Sequence, residues 1–237
     1  MQRSKSIQIA ASVVEFFLTI SVLALFVYAY PDTYRTTLWT AGGELGWNSN
    51  PRMRLYAHAN HQEPTEIPLI WSQRLTESNL AVAGLSVLIC LARVTLLAFG
   101  TLTWLANPIY DMLLLGLWTY SVYAQSSPDF SEKDHPSIRP WYLERGCSVV
   151  HGAVWDACVF TKVCYSFSIV SMIFYLIRAV LSVIVLAYWC GRQNIVDRLA
   201  VRQARVYTGA NQDCCYAWHQ LQSLDEDIEE GADDDNC

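Results

Sequence analysis

Residues 7–30 read IQIAASVVEFFLTISVLALFVYAY and contain a single charged residue, Glu15. As an α-helix this stretch would be about 36 Å long, enough to cross a hydrocarbon core of roughly 30 Å. A secretory signal peptide is the competing interpretation, because Arg3 and Lys5 precede the stretch and residues 27–29 resemble a cleavage site. A signal peptide has a shorter apolar region, of about 7–15 residues. The stretch therefore predicts an uncleaved first membrane span.

Three further apolar stretches have the length of a membrane span. Between Ser78 and Pro128 the only charges are Arg93 and Asp111, and this length suits two crossings. We place them at 79–99 and 108–125, with a tight turn around 100–102 and 107–108, where glycine and proline interrupt helices. Residues 164–190, CYSFSIVSMIFYLIRAVLSVIVLAYWC, form the fourth span. The sequence predicts an all-α membrane protein, a four-transmembrane-helix bundle with two long non-cytoplasmic loops.

Composition narrows the class of protein and its partners. Apolar residues make up 53% of the chain and charged residues 16%, against roughly 25% charged in an average soluble domain. The net charge of the chain is −6, but eight acidic residues lie between 225 and 235, so the rest of the chain carries a net charge of +2. A body this close to neutral offers no electrostatic reason to bind nucleic acid. His58 and His61 lack further ligands at a recognised spacing, so we expect no metal and no cofactor.

The distribution of Lys and Arg predicts that both termini face the cytoplasm. Arg3 and Lys5 precede the first span, four arginines follow the fourth, and the short turn between spans two and three has none. Eight basic residues in the two long loops oppose this orientation. The domains are then a membrane domain at 1–190, a basic amphipathic cytoplasmic segment at 191–222 and a disordered acidic tail at 223–237. We expect a multi-pass protein of the plasma membrane or an endomembrane.

Each predicted span carries one or more ionisable groups: Glu15, Arg93, Asp111 and Arg178. An unpaired charge at mid-bilayer costs from about 2.5 kcal/mol upward, so such groups usually pair, face the bundle or reach toward the surface. We expect interhelical ion pairs, a deep one between Glu15 and Arg178 and a shallow one between Asp111 and Arg93. A catalytic or proton-relay role is the alternative, and contact with lipid headgroups is a third interpretation.

The cysteines indicate which loops face an oxidising compartment. Cys147 and Cys158 lie in the second non-cytoplasmic loop, where disulfides persist, and a bridge between them is the preferred interpretation. Two free thiols, or a bridge from Cys158 to Cys164, are the alternatives. Cys190 lies at the cytoplasmic end of the fourth span and is a candidate site of S-palmitoylation. The chain has no Cys-x-x-Cys redox motif.

Several loop motifs resemble those of an uncharacterised family of fungal four-span integral membrane proteins, similar in topology to MARVEL-type tetraspans. They are DTYRTTLW at 32–39, GWNSNP at 46–51, LYA at 55–57, PLIWS at 68–72, QSSPD at 125–129 and PWYL at 140–143. The resemblance covers about residues 7–189 and implies the four-span topology. It brings no activity, cofactor or site residue with it.

The aromatic content of the loops predicts an ordered structure on one side of the membrane. The first loop is rich in Trp, Tyr, Pro and Gly, which suggests an aromatic cap that is either plain cover for the bundle or a surface for a partner. In the second loop Asp129 belongs to a charged stretch expected to be solvated. Trp141 and Tyr142 are expected to fold onto the membrane interface.

These patterns favour a non-catalytic protein that organises or binds other components of the bilayer. The partners are membrane lipids, with other membrane proteins or self-association as further options. The alternative is a membrane-embedded enzyme acting on a lipophilic substrate, with Glu15 or Asp111 as general acid and Arg93 or Arg178 setting its pKa. A transporter or channel subunit is the third interpretation. No sequence motif selects a catalytic residue.

Overall fold

The computed structural model describes residues 2–31, 33–53, 59–60, 66–99, 106–188 and 191–192, with the backbone alone for 2–7. By compactness the chain divides into two units, Met1–Val183 and Ile184–Cys237. The described part of the second unit consists of residues 184–188, which complete a long helix, and residues 191–192, which are helical. Glu15, Arg93, Asp111 and Arg178 all lie within the first unit.

Long helices dominate the described residues. They are α1 (Gln2–Ala29), α3 (Gln73–Ala98), α4 (Ala106–Gln125) and α6 (Ala153–Tyr188). Shorter elements lie between them: α2 (Thr33–Glu44), α5 (Trp141–Glu144) and the 3-10 turns Leu69–Trp71 and Cys147–Val149. The described ranges contain no β-strand, and a single antiparallel bridge joins Asp129 to Ser137.

Three of the described helices are long and apolar enough to cross a membrane, in α1 (Gln8–Ala29), α3 (Gln73–Ala98) and α6 (Ala153–Tyr188). The helix predicted as the third span, α4, is not among them. It is 20 residues long, but it contains Asn107, Asp111, Gln125 and three tyrosines, which lower its mean hydropathy. The length and composition of three helices therefore indicate a membrane protein, but they do not establish four spans.

The helices extend beyond the apolar stretches from which the spans were predicted. α3 begins at Gln73 instead of residue 79, and α6 begins at Ala153 instead of residue 164. Asn107 and Pro108 were expected in a turn but belong to the first turn of α4. Proline is tolerated there because the first helical N–H groups have no partner within the helix. The remainder of the expected turn, 100–102, lies outside the described residues.

The described residues 33–53, 66–72 and 126–152 form a cap at the end of the bundle where α1 ends and α3 begins. Trp141 of the second loop is 1% exposed, and its indole N–H donates to the carbonyl of Leu38 in α2, at 3.0 Å. Gly42 faces this indole so closely that a Cβ there would lie 2.5 Å from it. The expected placement of Trp141 and Tyr142 at the membrane interface is therefore wrong, because both join the core of the cap. That core also contains Leu38, Trp39, Ile70, Trp71, Leu75, Ala124, Val150, Ala157 and Cys158.

A second apolar core lies between the long helices. It joins α1, α3, α4 and α6, and its largest side chains are Trp118 and Tyr175. The outward faces of the same helices carry exposed Leu, Ile, Val and Phe side chains. A bundle that is apolar on its surface as well as in its core is typical of a membrane protein, because exposing so much apolar surface to water is unfavourable.

Candidate functional site

The four charges of the predicted spans, which come from four different helices, meet in one cluster. Arg93 of α3 donates through Nη1 to Glu15 of α1, 3.1 Å from Oε1, and through Nη2 to Asp111 of α4, 2.5 Å from Oδ1. Arg178 of α6 donates through Nη1 to Glu15 Oε2 at 2.7 Å and through Nε to Asp111 Oδ1 at 3.1 Å. Each arginine thus bridges both carboxylates, and each carboxylate bridges both arginines. We call these four residues the charge cluster.

Two hydroxyl groups complete the coordination of the carboxylates. Tyr175 Oη donates to Glu15 Oε1 at 3.3 Å, and Ser182 Oγ donates to Asp111 Oδ2 at 2.8 Å. Tyr175 precedes Arg178 by three residues and Ser182 follows it by four, so all three lie on one face of α6. One helix therefore supplies an arginine and both hydroxyl donors to the acids of two others.

The cluster replaces the separate deep and shallow pairs expected from the sequence. Arg93 lies five residues before the end of α3 and Asp111 five residues after the start of α4, which places both about 7.5 Å from these helix ends. Because both are bonded to Glu15 and Arg178, the four groups share one level in the bundle. Both expected pairs exist, but each residue also bonds to the oppositely charged member of the other pair: Arg93 to Glu15, and Arg178 to Asp111. The distance of a side chain from the end of its own helix did not reveal how far the helices are shifted relative to one another along their axes.

The charges of the cluster cancel, and its acids have little capacity left for chemistry. Glu15, Arg93 and Asp111 are at most 2% exposed, and only Arg178, at 16%, is partly exposed. A general acid needs a proton and access to substrate, whereas these carboxylates accept bonds from two arginines and a hydroxyl each. Taking charges out of water is costly unless they are paired, and here each charge contacts two of opposite sign, although Arg93 Nε is buried with no hydrogen-bond partner among the described residues. The arrangement is suited to fixing how four helices pack.

A layer of uncharged polar groups lies between the charge cluster and the cap. Gln125 Nε2 donates to Ser121 Oγ at 3.1 Å and to Ser168 Oγ at 2.9 Å, and Ser121 Oγ donates to Asn79 Oδ1 at 2.8 Å. These bonds join α3, α4 and α6, and all four side chains are at most 2% exposed. This layer was not predicted from the sequence. The signal it overlooked was the recurrence of Ser, Asn and Gln inside apolar stretches, where such residues usually bond to another helix.

A buried carboxylate also joins the two loops of the cap. Asp129 Oδ2 accepts bonds from Ser49 Oγ at 2.6 Å and from the indole N–H of Trp71 at 2.8 Å, while Oδ1 accepts from Ser131. Burial alone would raise the pKa of Asp129, but the bonds from Ser49, Ser131 and Trp71 outweigh it and lower that pKa. The expectation of a solvated Asp129 is therefore wrong, since its side chain is 2% exposed. Tyr142, in the apolar core of the cap, has its pKa raised to about 12 by burial.

A disulfide fastens the second loop to the start of α6. Cys147 and Cys158, the pair preferred from the sequence, are bonded, with Cα atoms 5.8 Å apart. Cys164, the alternative partner, is a buried free thiol. Cys190, His58 and His61 lie outside the described residues, as does the amphipathic segment beyond residue 192. Among the described residues no group of three or more His, Cys, Asp or Glu side chains could hold a metal.

A shallow groove of about 370 Å³ opens on the outside of the cap. It lies against α2 and the start of α6 and is lined mainly by threonines. Thr37 and Thr40 use their hydroxyls to bond backbone carbonyls of their own helix, at 2.8 and 2.9 Å. The groove is therefore lined by methyl groups and engaged hydroxyls, and it contains none of the charge-cluster residues.

Comparisons with known proteins add no activity to this geometry. No protein-family model matches the chain, and neither a curated protein nor a solved structure does. The resemblance to fungal four-span proteins stays an expectation based on loop motifs. What the protein does must therefore be argued from the charge cluster, the cap and the apolar surface.

Proposed function

We propose that this chain is a four-pass integral membrane protein that organises or binds other membrane components and has no catalytic activity. The observation that carries the proposal is the saturation of Glu15 and Asp111, each of which accepts bonds from Arg93, from Arg178 and from a hydroxyl group. An enzyme built on Glu15 or Asp111 would need one of these acids to reach a substrate. Here both carboxylates accept hydrogen bonds from other helices, which favours a structural role for the four charges.

The fourth crossing is supported by the contacts of α4. At 20 residues α4 is about 30 Å long, the thickness of the hydrocarbon core. Its Asp111 meets arginines of α3 and α6 at one end, and its Gln125 meets Ser168 of α6 at the other. A helix bonded along its length to two candidate spans crosses the bilayer with them. Its polar residues face those helices instead of lipid.

The cap supports an orientation in which it faces a non-cytoplasmic compartment and both termini face the cytoplasm. The disulfide between Cys147 and Cys158 requires an oxidising environment, which the cytosol does not supply. The Lys and Arg residues near the predicted span ends favour the same orientation. The plasma membrane or an endomembrane fits both observations.

The exposed surfaces suggest where partners would bind. The outer faces of the long helices are apolar and suit lipid, other membrane proteins or a second copy of this chain. On the cap, Phe130 and Ile138 are 63% and 74% exposed, each directly following a residue of the Asp129–Ser137 bridge. Phe130 and Ile138 thus expose apolar side chains on the outside of a tightly bonded loop, which suits a protein partner.

Topology is tested by glycosylation. The natural chain has no Asn-x-Ser/Thr sequon, so an inserted one gives a clean signal. A sequon inserted between the exposed Lys133 and Asp134 should be glycosylated, while sequons appended to either terminus should not. Glycosylation of exactly one terminus would contradict an even number of spans. A lack of glycosylation at the loop together with modification at both termini would reverse the orientation.

The function is tested by a charge swap combined with purification in mild detergent. Glu15→Arg, Arg93→Glu, Asp111→Arg and Arg178→Glu together keep acids and bases alternating around the cluster but move the acids to the other two helices. If the cluster holds the bundle together, the swapped protein should fold and co-purify with the same proteins and lipids as the natural one. A swapped protein that folds and keeps its partners, but loses a biological activity that the natural chain supports, would indicate that Glu15 has a chemical role.

A further inference from the structure

One side of the charge cluster has a hydrogen-bond donor with no acceptor. Arg178 uses Nε for Asp111 and Nη1 for Glu15. Its second terminal nitrogen, Nη2, has no partner within the described part of the chain. The side chain is 16% exposed, whereas its partners Glu15 and Asp111 are 0% and 1% exposed. The unpaired donor therefore belongs to the most exposed of the four side chains of the cluster, measured among the described residues.

No acceptor in the cluster remains for this nitrogen. Glu15 already accepts from Arg93, Arg178 and Tyr175, and Asp111 accepts from both arginines and from Ser182. An unsatisfied polar group costs several kcal/mol where apolar groups exclude water, and the exposed Ile177 and Leu181 surround Arg178 with such groups. Among the described residues no acceptor remains for Arg178 Nη2, which leaves this nitrogen available to an acceptor from outside the protein.

The level of the cluster limits what that acceptor can be. Arg93 and Asp111, to which it is bonded, lie about 7.5 Å from the end of α3 and the start of α4. With these helix ends in the headgroup region, the cluster lies near the boundary between headgroups and hydrocarbon. Phosphate groups are the strongest hydrogen-bond acceptors at that depth, and guanidinium groups bind them with charge-assisted bonds. Arginine side chains near helix ends commonly reach them.

We propose that Arg178 is a binding site for the phosphate of a phospholipid in the leaflet at which α3 ends and α4 begins. The exposed Ile177 and Leu181 flank Arg178 on α6 and offer apolar surface to the acyl chains. A free anion would lack this contact, which is why the lipid is the favoured source of the phosphate. The site rests on the proposed membrane arrangement and adds a ligand to its charge cluster.

The test uses the full-length protein purified in detergent and native mass spectrometry. The protein is incubated separately with dioleoyl-phosphatidylglycerol, dioleoyl-phosphatidylcholine and dioleoylglycerol, and the retained lipid is counted. Both phospholipids should be retained over dioleoylglycerol, which has the same chains but no phosphate. Equal retention of dioleoylglycerol would overturn the site. This comparison needs no variant, so it decides the question even if changes at Arg178 prevent folding.

Two variants locate the site on the protein. Arg178→Lys keeps the charge but removes the planar fork, and it should lower phospholipid retention by about tenfold, the effect of one charge-assisted hydrogen bond. Arg192→Gln removes an exposed arginine of the second unit and is the matched control, expected to retain lipid normally. A folded Arg178→Lys protein that retains phospholipid like the natural chain, or an equal loss in Arg192→Gln, contradicts the assignment.

A competition experiment separates a lipid from a free anion. Inorganic phosphate added to the complex should not displace the phospholipid, because it lacks the acyl chains. Displacement by inorganic phosphate would assign the site to a soluble anion and overturn the lipid. The glycosylation test of topology is independent, so failure of the lipid site and failure of the four-pass arrangement can be told apart.

Discussion

Removing Glu15 from the charge cluster should strongly destabilise the protein. Glu15→Gln keeps the size of the side chain and one oxygen but removes the charge. Two buried arginines then share Asp111 alone, so the formal charge of the cluster changes from zero to +1. The amide also presents an N–H group where two guanidinium groups already donate.

The expected loss follows from the bonds that Glu15 makes. It accepts from Arg93 at 3.1 Å, from Arg178 at 2.7 Å and from Tyr175 at 3.3 Å. Single interhelical hydrogen bonds in a membrane average about 0.6 kcal/mol, so three of them give a lower estimate of about 2 kcal/mol. Breaking a buried ion pair on one side costs about 3–5 kcal/mol because a charge is left uncompensated. We expect a loss of about 3–5 kcal/mol in the free energy of unfolding.

The measurement is unfolding by SDS in mixed micelles, followed by tryptophan fluorescence. A second variant, Glu15→Gln with Arg178→Gln, restores neutrality and leaves Arg93 bonded to Asp111. It should be at least about 1 kcal/mol more stable than the sum of the single changes predicts, the signature of coupled residues. Glu77→Gln is the control, because Glu77 is exposed on α3 and its loss should change stability by less than about 0.5 kcal/mol. Additive effects of the two changes, or a single change as mild as the control, would refute the proposed role of the cluster.

The cap allows three further predictions. Cys158→Ser should lower stability by about 3 kcal/mol through loss of the cross-link, and a reductant should lower the melting temperature of the natural chain but not of this variant. Because hydrogen bonds lower the pKa of Asp129 below its unfolded value of about 3.9, its charge stabilises the cap above that pH, and this stabilisation is lost as the pH falls through the folded pKa. Asp129→Asn should therefore flatten the pH dependence of cap unfolding below about pH 4, measured by near-UV circular dichroism, and an unchanged acid slope would argue against Asp129 as its origin. Gly42→Ala should disrupt the cap because the new methyl group would overlap Trp141. Gly84→Ala is the control, because its Cβ has open space, and it should be neutral or stabilising by up to about 1 kcal/mol. Equal melting temperatures for the two alanine variants would show that the close approach at Gly42 is unimportant.

The disulfide and the existence of the long helices could be predicted because they depend on local patterns. An apolar stretch of sufficient length becomes a helix in lipid wherever it lies in the chain. Cys147 and Cys158 are close in sequence and on the side expected to be oxidising, so few other pairings competed. The exact starts of α3 and α6 could not be obtained this way, because polar residues such as Gln73 and Asp156 continue the helices into the region of the cap.

The sequence was misleading where a polar or aromatic residue had two plausible environments. Asp129 looks solvated in a charged stretch, and Trp141 looks suited to the membrane interface. Both are buried because residues distant in the chain, such as Ser49 and Leu38, offer partners for their polar atoms. A buried polar group is stable only with such a partner, and the identity of that partner is not encoded in the neighbouring residues.

By itself, the sequence determined that the chain has long apolar helices, that each predicted span carries charge, and that two loop cysteines can pair. These properties depend on residue type and on spacing along the chain. Only the tertiary structure decided that the four charges form a single neutral cluster, that an amide and serine layer lies above it, and that the two loops close over one aromatic core. The physical reason is that an ion pair or a buried hydrogen bond depends on the offset and rotation of neighbouring helices, which arise from the packing of all of them together.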